Sequence, residues 1–236
     1  MKEFAGLPLT VRANPRARRV LVKLVPGRGL EVVTPKRFDP AQVPAILEDK
    51  RGWIERTRDR LLAAGTDLSG ALPELPNVIH FRAVDRMIQV DYVDRPGRVR
   101  VLENAARLQV SGPVEDRAAI LDGLRGYTVR KAREILLPWL ERASRETGLA
   151  YSALRVRRQK TRWGSCSARG TISLNAKLLF LPPELVDHLL LHELCHTKHL
   201  NHSKAYWACV ASFQPDFERL EREVSRGGQY VPAWFR

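Results

Sequence analysis

His192 and His196 stand four residues apart, with Glu193 directly after the first. On a helix such a pair projects from one face, one turn apart, so both imidazoles can reach a single ion at about 2.0–2.1 Å. Zinc brings the pKa of a water at its open position towards about 7, and a neighbouring carboxylate can take that proton. The segment His192-Glu193-Leu194-Cys195-His196 therefore points to zinc-dependent hydrolysis with Glu193 as general base.

A catalytic zinc ordinarily has three protein ligands. His202 follows His196 by six residues, so it reaches the ion only if the helix ends and the chain doubles back. Asn201 tolerates the left-handed conformation that closes helices, and Ser203 can cap a new helix running through Tyr206 and Val210. His202 is thus the favoured third ligand. His199 lies about 10.5 Å along the helix from His192, and no glutamate follows His188. Both read as supporting or surface residues. Asp216, Glu218 and Glu221 remain carboxylate alternatives. Cys195 points away from the ion and, like Cys209, reads as core; Cys166 has no second cysteine nearby to make a zinc knuckle.

The elements that must hold these residues follow from spacing and punctuation. Pro182-Pro183, with Glu184 in the first turn, opens the histidine helix. Before it, Leu154–Arg158 and Gly170–Leu174 read as strands around a turn at Trp163–Ser167. From Val114 to Thr147 apolar residues recur at helical spacing, with Pro138 expected to kink or divide the helix and Gly148 to end it. Upstream lie two strand groups, compatible with one sheet. The first spans residues 7–34 with a turn at Pro26–Gly29, and the second runs from Val78 to Ser111. Between them, Asp39 and Pro40 start a helix expected to reach about Ala64 with Trp53 and Ile54 on its apolar face, and Gly65 to stop it. Gly70–Asn77 reads as a flexible connection. The fold class is α+β: a β-rich N-terminal domain with one helix, 1–112, then a domain carrying the histidines, 113–236.

The 236 residues carry 40 Lys and Arg against 26 Asp and Glu, a formal charge of +14. That balance favours an anionic partner such as a nucleotide or nucleic acid, unless the excess is spread over solvated faces. It is locally dense twice: Arg12–Arg37 has eight cations and one acid, and Arg155–Arg169 has six cations and none. No apolar run approaches the roughly 20 residues of a membrane helix. No export signal opens the chain, and three cysteines are too few for a disulfide framework, so a cytoplasmic location is expected.

The run Gln159-Lys160-Thr161-Arg162-Trp163-Gly164-Ser165-Cys166-Ser167, then Ile172-Ser173-Leu174-Asn175, Leu181-Pro182, the histidine segment, Asn201-His202-Ser203 and Trp207 resembles the YgjP-like metal-dependent hydrolases. These are grouped with M48-type metallopeptidases and related more distantly to the SprT-like and WLM zinc proteases. The resemblance implies a zincin-like catalytic domain, zinc on His192, His196 and His202, and Glu193 as the catalytic group. The C-terminal block carries most of it.

Two substrate classes stay open. A peptidase would hold its substrate as an added strand on a sheet edge, for which Gly170–Asn175 is the expected edge. Arg162, Lys160 and Tyr206 are then candidates to bind substrate and steady the oxyanion. Alternatively the substrate is a nucleotide: proteins resembling this family have been described as UTP pyrophosphatases, and the acid-free Arg155–Arg169 stretch suits phosphate. A nucleic-acid-associated protease, or a binding module without activity, is the third class. The presence of Glu193 speaks against the inactive version.

Overall fold

The computed structural model describes residues 2–25, 27–63, 68–70, 72–105 and 107–236. Pro26 of the first turn and the expected helix end at Ala64 and Gly65 fall outside them. The chain divides into two compact units, Met1–Glu74 and Leu75–Arg236.

The first unit holds β1 (Glu3–Phe4), β2 (Leu7–Ala13), β3 (Leu21–Val25) and β4 (Gly29–Thr34) in the order β1-β2-β4-β3. β3 and β4 form the expected hairpin, Leu21 opposite Val33 through Val25 opposite Gly29, while β2 runs parallel to β4. Asp39 accepts from the Ala41 amide and starts a short 3-10 turn. The single helix expected next is instead two, α1 (Val43–Asp49) and α2 (Arg51–Ala63), separated at Lys50. Leu30, Val32, Val43, Leu47 and Ile54 close a small core. Trp53 is exposed, while Ile54 beside it is buried.

The second unit begins earlier than residue 113. β5 (Val78–Phe81), β6 (Arg86–Asp94), β7 (Arg100–Asn104) and β8 (Arg107–Gly112) form their own sheet, ordered β5-β6-β8-β7 and separate from the first. Its inward residues Ile79, Phe81, Ile88, Val90, Leu108 and Val110 join one core with Ile120, Leu121 and Leu124 of α3 (Arg117–Thr147). Alternating strands with one apolar face must bury it, and α3 is what covers this one. The division into compact units thus falls at Glu74 and Leu75, and the strands from Val78 to Gly112 pack with the helices that follow them.

α3 is continuous over 31 residues with Pro138 inside it. Proline in a helix interior costs about 3 kcal/mol. Here Ala132 and Leu136 are buried before it and Leu140 after it, so packing on both sides holds the axis together. Gly148 ends α3 at φ 70°, the left-handed cap that glycine allows without Cβ strain.

A third sheet positions the site. β9 (Ala153–Arg157) pairs in parallel with β11 (Thr171–Asn175), and β10 (Gly164–Cys166) pairs antiparallel to β11 on its other side. The expected turn at Trp163–Ser167 thus contains a strand. β11 lies in the middle, so the free edges are β9 and β10 and not the Gly170–Asn175 segment. α4 (Pro183–Cys195) follows, with Pro183 in its first turn and Glu184 after it. Nine of its thirteen residues are buried, the pattern of a central helix. α5 (Lys204–Phe213) and α6 (Phe217–Arg226) complete the unit. Among the described residues no helix is long and apolar enough to cross a membrane.

Candidate metal centre

α4 ends at Cys195, and the next residues wind on in tight turns: the Thr197 amide donates to Leu194 O and the Lys198 amide to Cys195 O. Asn201 is not left-handed; these tightened turns close the helix in its place. Ser203 caps α5 as expected, its Oγ accepting from the Tyr206 amide at 3.3 Å. His202 therefore lies on the connection between α4 and α5, and it comes back over the histidine pair.

The ligand atoms of His192, His196 and His202 all lie within 4.8 Å of one another. His192 Nε2 and His202 Nε2 are 3.3 Å apart. A tetrahedral ion at about 2.0–2.1 Å from each nitrogen sets its ligands roughly 3.3–3.4 Å apart. Outer contacts decide which nitrogens face inward. His192 Nδ1 donates to Glu221 Oε1 at 2.9 Å, and His196 Nδ1 donates to the His199 carbonyl at 2.9 Å. Each ring then turns a lone pair on Nε2 towards the cluster, the arrangement a ligating histidine needs. With His202 Nε2 also unprotonated, three lone pairs would converge there with no proton between them. That is a poor hydrogen-bonding arrangement and a good cation seat. Burial and the neighbouring imidazoles hold His196 and His202 below the usual histidine pKa, which keeps them in the ligating form.

Aromatic residues of α5 fix the rings. Tyr206 is fully buried, stacks on His196 with centroids 4.4 Å apart, and donates its hydroxyl to the His192 carbonyl at 3.3 Å. It backs the ligands, and its hydroxyl is already engaged. Trp207 stacks on His202 at 5.5 Å and on Phe217 at 5.2 Å.

Behind His192 lies a network the sequence did not announce. Glu221 Oε1 accepts from His192 and also from His188 Nε2 at 3.0 Å, while His188 Nδ1 lies 2.6 Å from Gln214 Oε1. These imidazole donors pull Glu221 down to about 2. His188, Gln214 and Glu221 are spread over 34 positions, so only the packing of α6 against α4 brings them together. His188, Glu221 and the Nδ1 side of His192 make a second cluster with ligand potential. Its hydrogen bonds already satisfy it, and Glu221 supports His192 from outside the ion.

Glu193 is 3% exposed, and its Oε2 has no hydrogen-bond partner among the described residues. Burial pushes its pKa up to about 8, with the Arg162 charge opposing and Glu221 adding. A buried carboxylate oxygen left unpartnered costs free energy unless another group completes the site. The residues present thus fit a metal with its bound solvent. β10 runs directly against this carboxylate, and a Cβ on Gly164 would collide with it. Only glycine allows the strand so close. Arg162 and Lys160, on the loop entering β10, are exposed, while Lys160 O accepts from Lys177 Nζ at 3.1 Å. Cys166, on β10, is pushed up by burial and by Glu193. Cys195 lies in the core with Cys209 packed against it, their sulfurs 3.6 Å apart.

The family model for the YgjP-like metallopeptidase domain matches residues 18–226. Among solved structures, the chain is similar to the metallopeptidase zymogen abylysin of Pyrococcus abyssi, at 29% identity over 38% of this chain and 91% of that one, with a TM-score of 0.35. It is also similar to the zymogen jannalysin of Methanocaldococcus jannaschii, at 19% identity over 37% and 90%, with a TM-score of 0.33. No curated protein matches the chain. The match from residue 18 to residue 226 places it as a metal-dependent hydrolase, and the chain belongs to the YgjP-like metallopeptidase family.

Proposed function

We propose that the chain is a zinc-dependent peptidase in which His192, His196 and His202 hold the metal through Nε2 and Glu193 is the general base. The observation that carries this reading is the buried, unpartnered Glu193 carboxylate beside three imidazoles whose Nε2 lone pairs converge. Three nitrogen donors within tetrahedral reach favour zinc over magnesium or calcium, which prefer oxygen. Zinc held there would lower the pKa of a water towards about 7 and polarise a carbonyl oxygen.

The remaining work falls to the protein. A free edge at β10 lets an extended peptide pair with Gly164–Cys166 and lie over Glu193. Glu193 takes a proton from the attacking water at Oε2 and returns it to the departing amine. Without a metal burial raises its pKa to about 8; a dication bound beside it would favour the carboxylate, the form a general base needs. Glu221 holds His192 by Nδ1 so that Nε2 stays turned to the ion. Arg162, whose charge reaches Glu193, is placed to steady negative charge on the carbonyl oxygen as it is attacked.

The acid-free loop before β10 favours a second reading, hydrolysis of a nucleotide such as UTP at the same centre. The test compares wild type and Glu193→Gln with zinc content measured in both. Cleavage of unfolded protein by the wild type alone, both proteins holding about one zinc, is the expected result. Glu193-dependent release of pyrophosphate from UTP without peptide cleavage would sink the peptidase reading. A protein that binds no zinc would sink both.

A further inference from the structure

The segment Arg158–Arg162 enters β10 as a loop whose carbonyls are taken up from within. Asn175, 1% exposed, donates its Nδ2 to Gln159 O at 2.9 Å and to Arg162 O at 2.7 Å. Lys177 Nζ donates to Lys160 O at 3.1 Å, and the Asn175 amide donates to Trp163 O at 2.8 Å. Four carbonyls of one short loop are thus occupied by donors of a single neighbouring segment. The backbone amides of Gln159–Trp163 have no acceptor among the described residues. Arg158, Lys160 and Arg162 are exposed, and among the described residues none of them pairs with a carboxylate.

A loop with four of its carbonyls consumed and its amides free, studded with cations, is suited to receive an anion, while the buried Gln159 Oε1 is an acceptor still without a partner among the described residues. Lys177 reports the same imbalance. Burial and the charges of Arg236 and Arg158 press its pKa below the usual lysine value. This positive potential is not neutralised by any acid of the chain's own Arg155–Arg169 stretch. The loop also has a direction. Glu193 meets the strand at Gly164, so Arg162 and Lys160 come before the point of attack along the same edge.

We infer that Arg158, Lys160 and the loop amides, leaving Arg162 to the attacked carbonyl, form an anion subsite that selects peptides carrying an acidic side chain a few residues to one side of the cleaved bond. The inference rests on the peptidase reading for the bond and on the loop for the preference. The ligand chemistry is an oxyanion, the carboxylate of Asp or Glu or the phosphate of a phosphorylated residue, presented on an extended peptide lying along β10. A multiply charged phosphate engages more of the donors than a carboxylate does.

The test uses the zinc-loaded full chain and a neutral peptide in which one Gln at a time becomes Glu, up to four positions either side of the cleaved bond. Glu on one side is expected to raise kcat/KM about tenfold, phosphoserine there to raise it further, and added salt to erase most of the gain. Lys160→Glu and Arg158→Glu change exposed side chains and should invert the preference towards Lys. Equal cleavage of Gln and Glu peptides at every position, or a preference that survives charge reversal, would overturn the subsite. If no peptide is cleaved, the peptidase reading fails first. The subsite is then read by anisotropy of a labelled Glu peptide on Glu193→Gln protein: binding lost in Lys160→Glu supports it, and no binding overturns it.

Discussion

Two glutamates border His192, and their surroundings push them in opposite directions. Glu193 lies buried against Gly164 with one oxygen unpartnered, and burial raises it to about 8. Glu221 accepts from His188 and His192, and those donors lower it to about 2. Carboxylates whose environments drive their pKa values apart usually divide a reaction between them. On the proposed reading the division is between moving a proton and holding a ring. Without a metal, burial holds the proton on Glu193 more tightly than on an ordinary carboxyl, while Glu221 stays charged and accepts from His192 Nδ1. The first is costly to the fold and useful to the chemistry; the second is satisfied and structural.

Substitutions can break this contrast in several places. The largest effect is expected from His196→Ala, which removes an inward nitrogen without touching Glu221. It should abolish stoichiometric zinc binding in equilibrium dialysis, and retained tight binding would move the centre to the His188 side. Glu193→Gln should keep the zinc and lower turnover by about 10²–10⁴-fold, read with a saturating peptide.

Next in size is a stability effect in the metal-free protein. Glu193 has a folded pKa of about 8 against an unfolded value near 4.5. The folded state therefore holds the extra proton between those values, and stability falls as pH rises through that window. Denaturant titrations should show a loss on the order of 5 kcal/mol across it, and Glu193→Gln should flatten the slope. An unchanged slope would mean that the carboxylate is better solvated than its burial implies. Glu221→Gln should act on affinity instead, raising the zinc Kd about 10–100-fold with kcat on the loaded protein changed far less. The smallest effect is expected from Gln214→Ala, one bond further out, with a shift in Kd below about tenfold. A larger shift there than at Glu221 would reverse the proposed order of support.

Much of this was open to reading along the chain because it is local. The spacing of His192 and His196, the Pro183 start of α4 and the Ser203 cap of α5 each depend on a few consecutive residues, and local chemistry is enough to place them. His202 needed one further step, the need for the chain to double back. What could not be read depends on distant packing. Glu221 looked like one of three equivalent acids further along, and His188 read as a supporting or surface residue with no partner named. Nothing in their spacing says that α6 lays them behind His192. β10 is only Gly-Ser-Cys, too short and too poor in branched residues to show a strand pattern. It becomes a strand because β11 pairs with it, and that same pairing moves the free edge away from Gly170–Asn175. Pro138 marks a break by local rules, which the buried face of α3 overrides.

Gly164 brings the edge strand and the metal helix into mesh at one point with no side chain between them. Position 164 thus sets two mechanical tolerances at once, the height of the carboxylate and the height of the rail beside it. A single added methyl group there would press on the Glu193 side chain and force either it or the strand to move. Sequence drift at this position is confined by clearance, much as a gear tooth is confined by its partner.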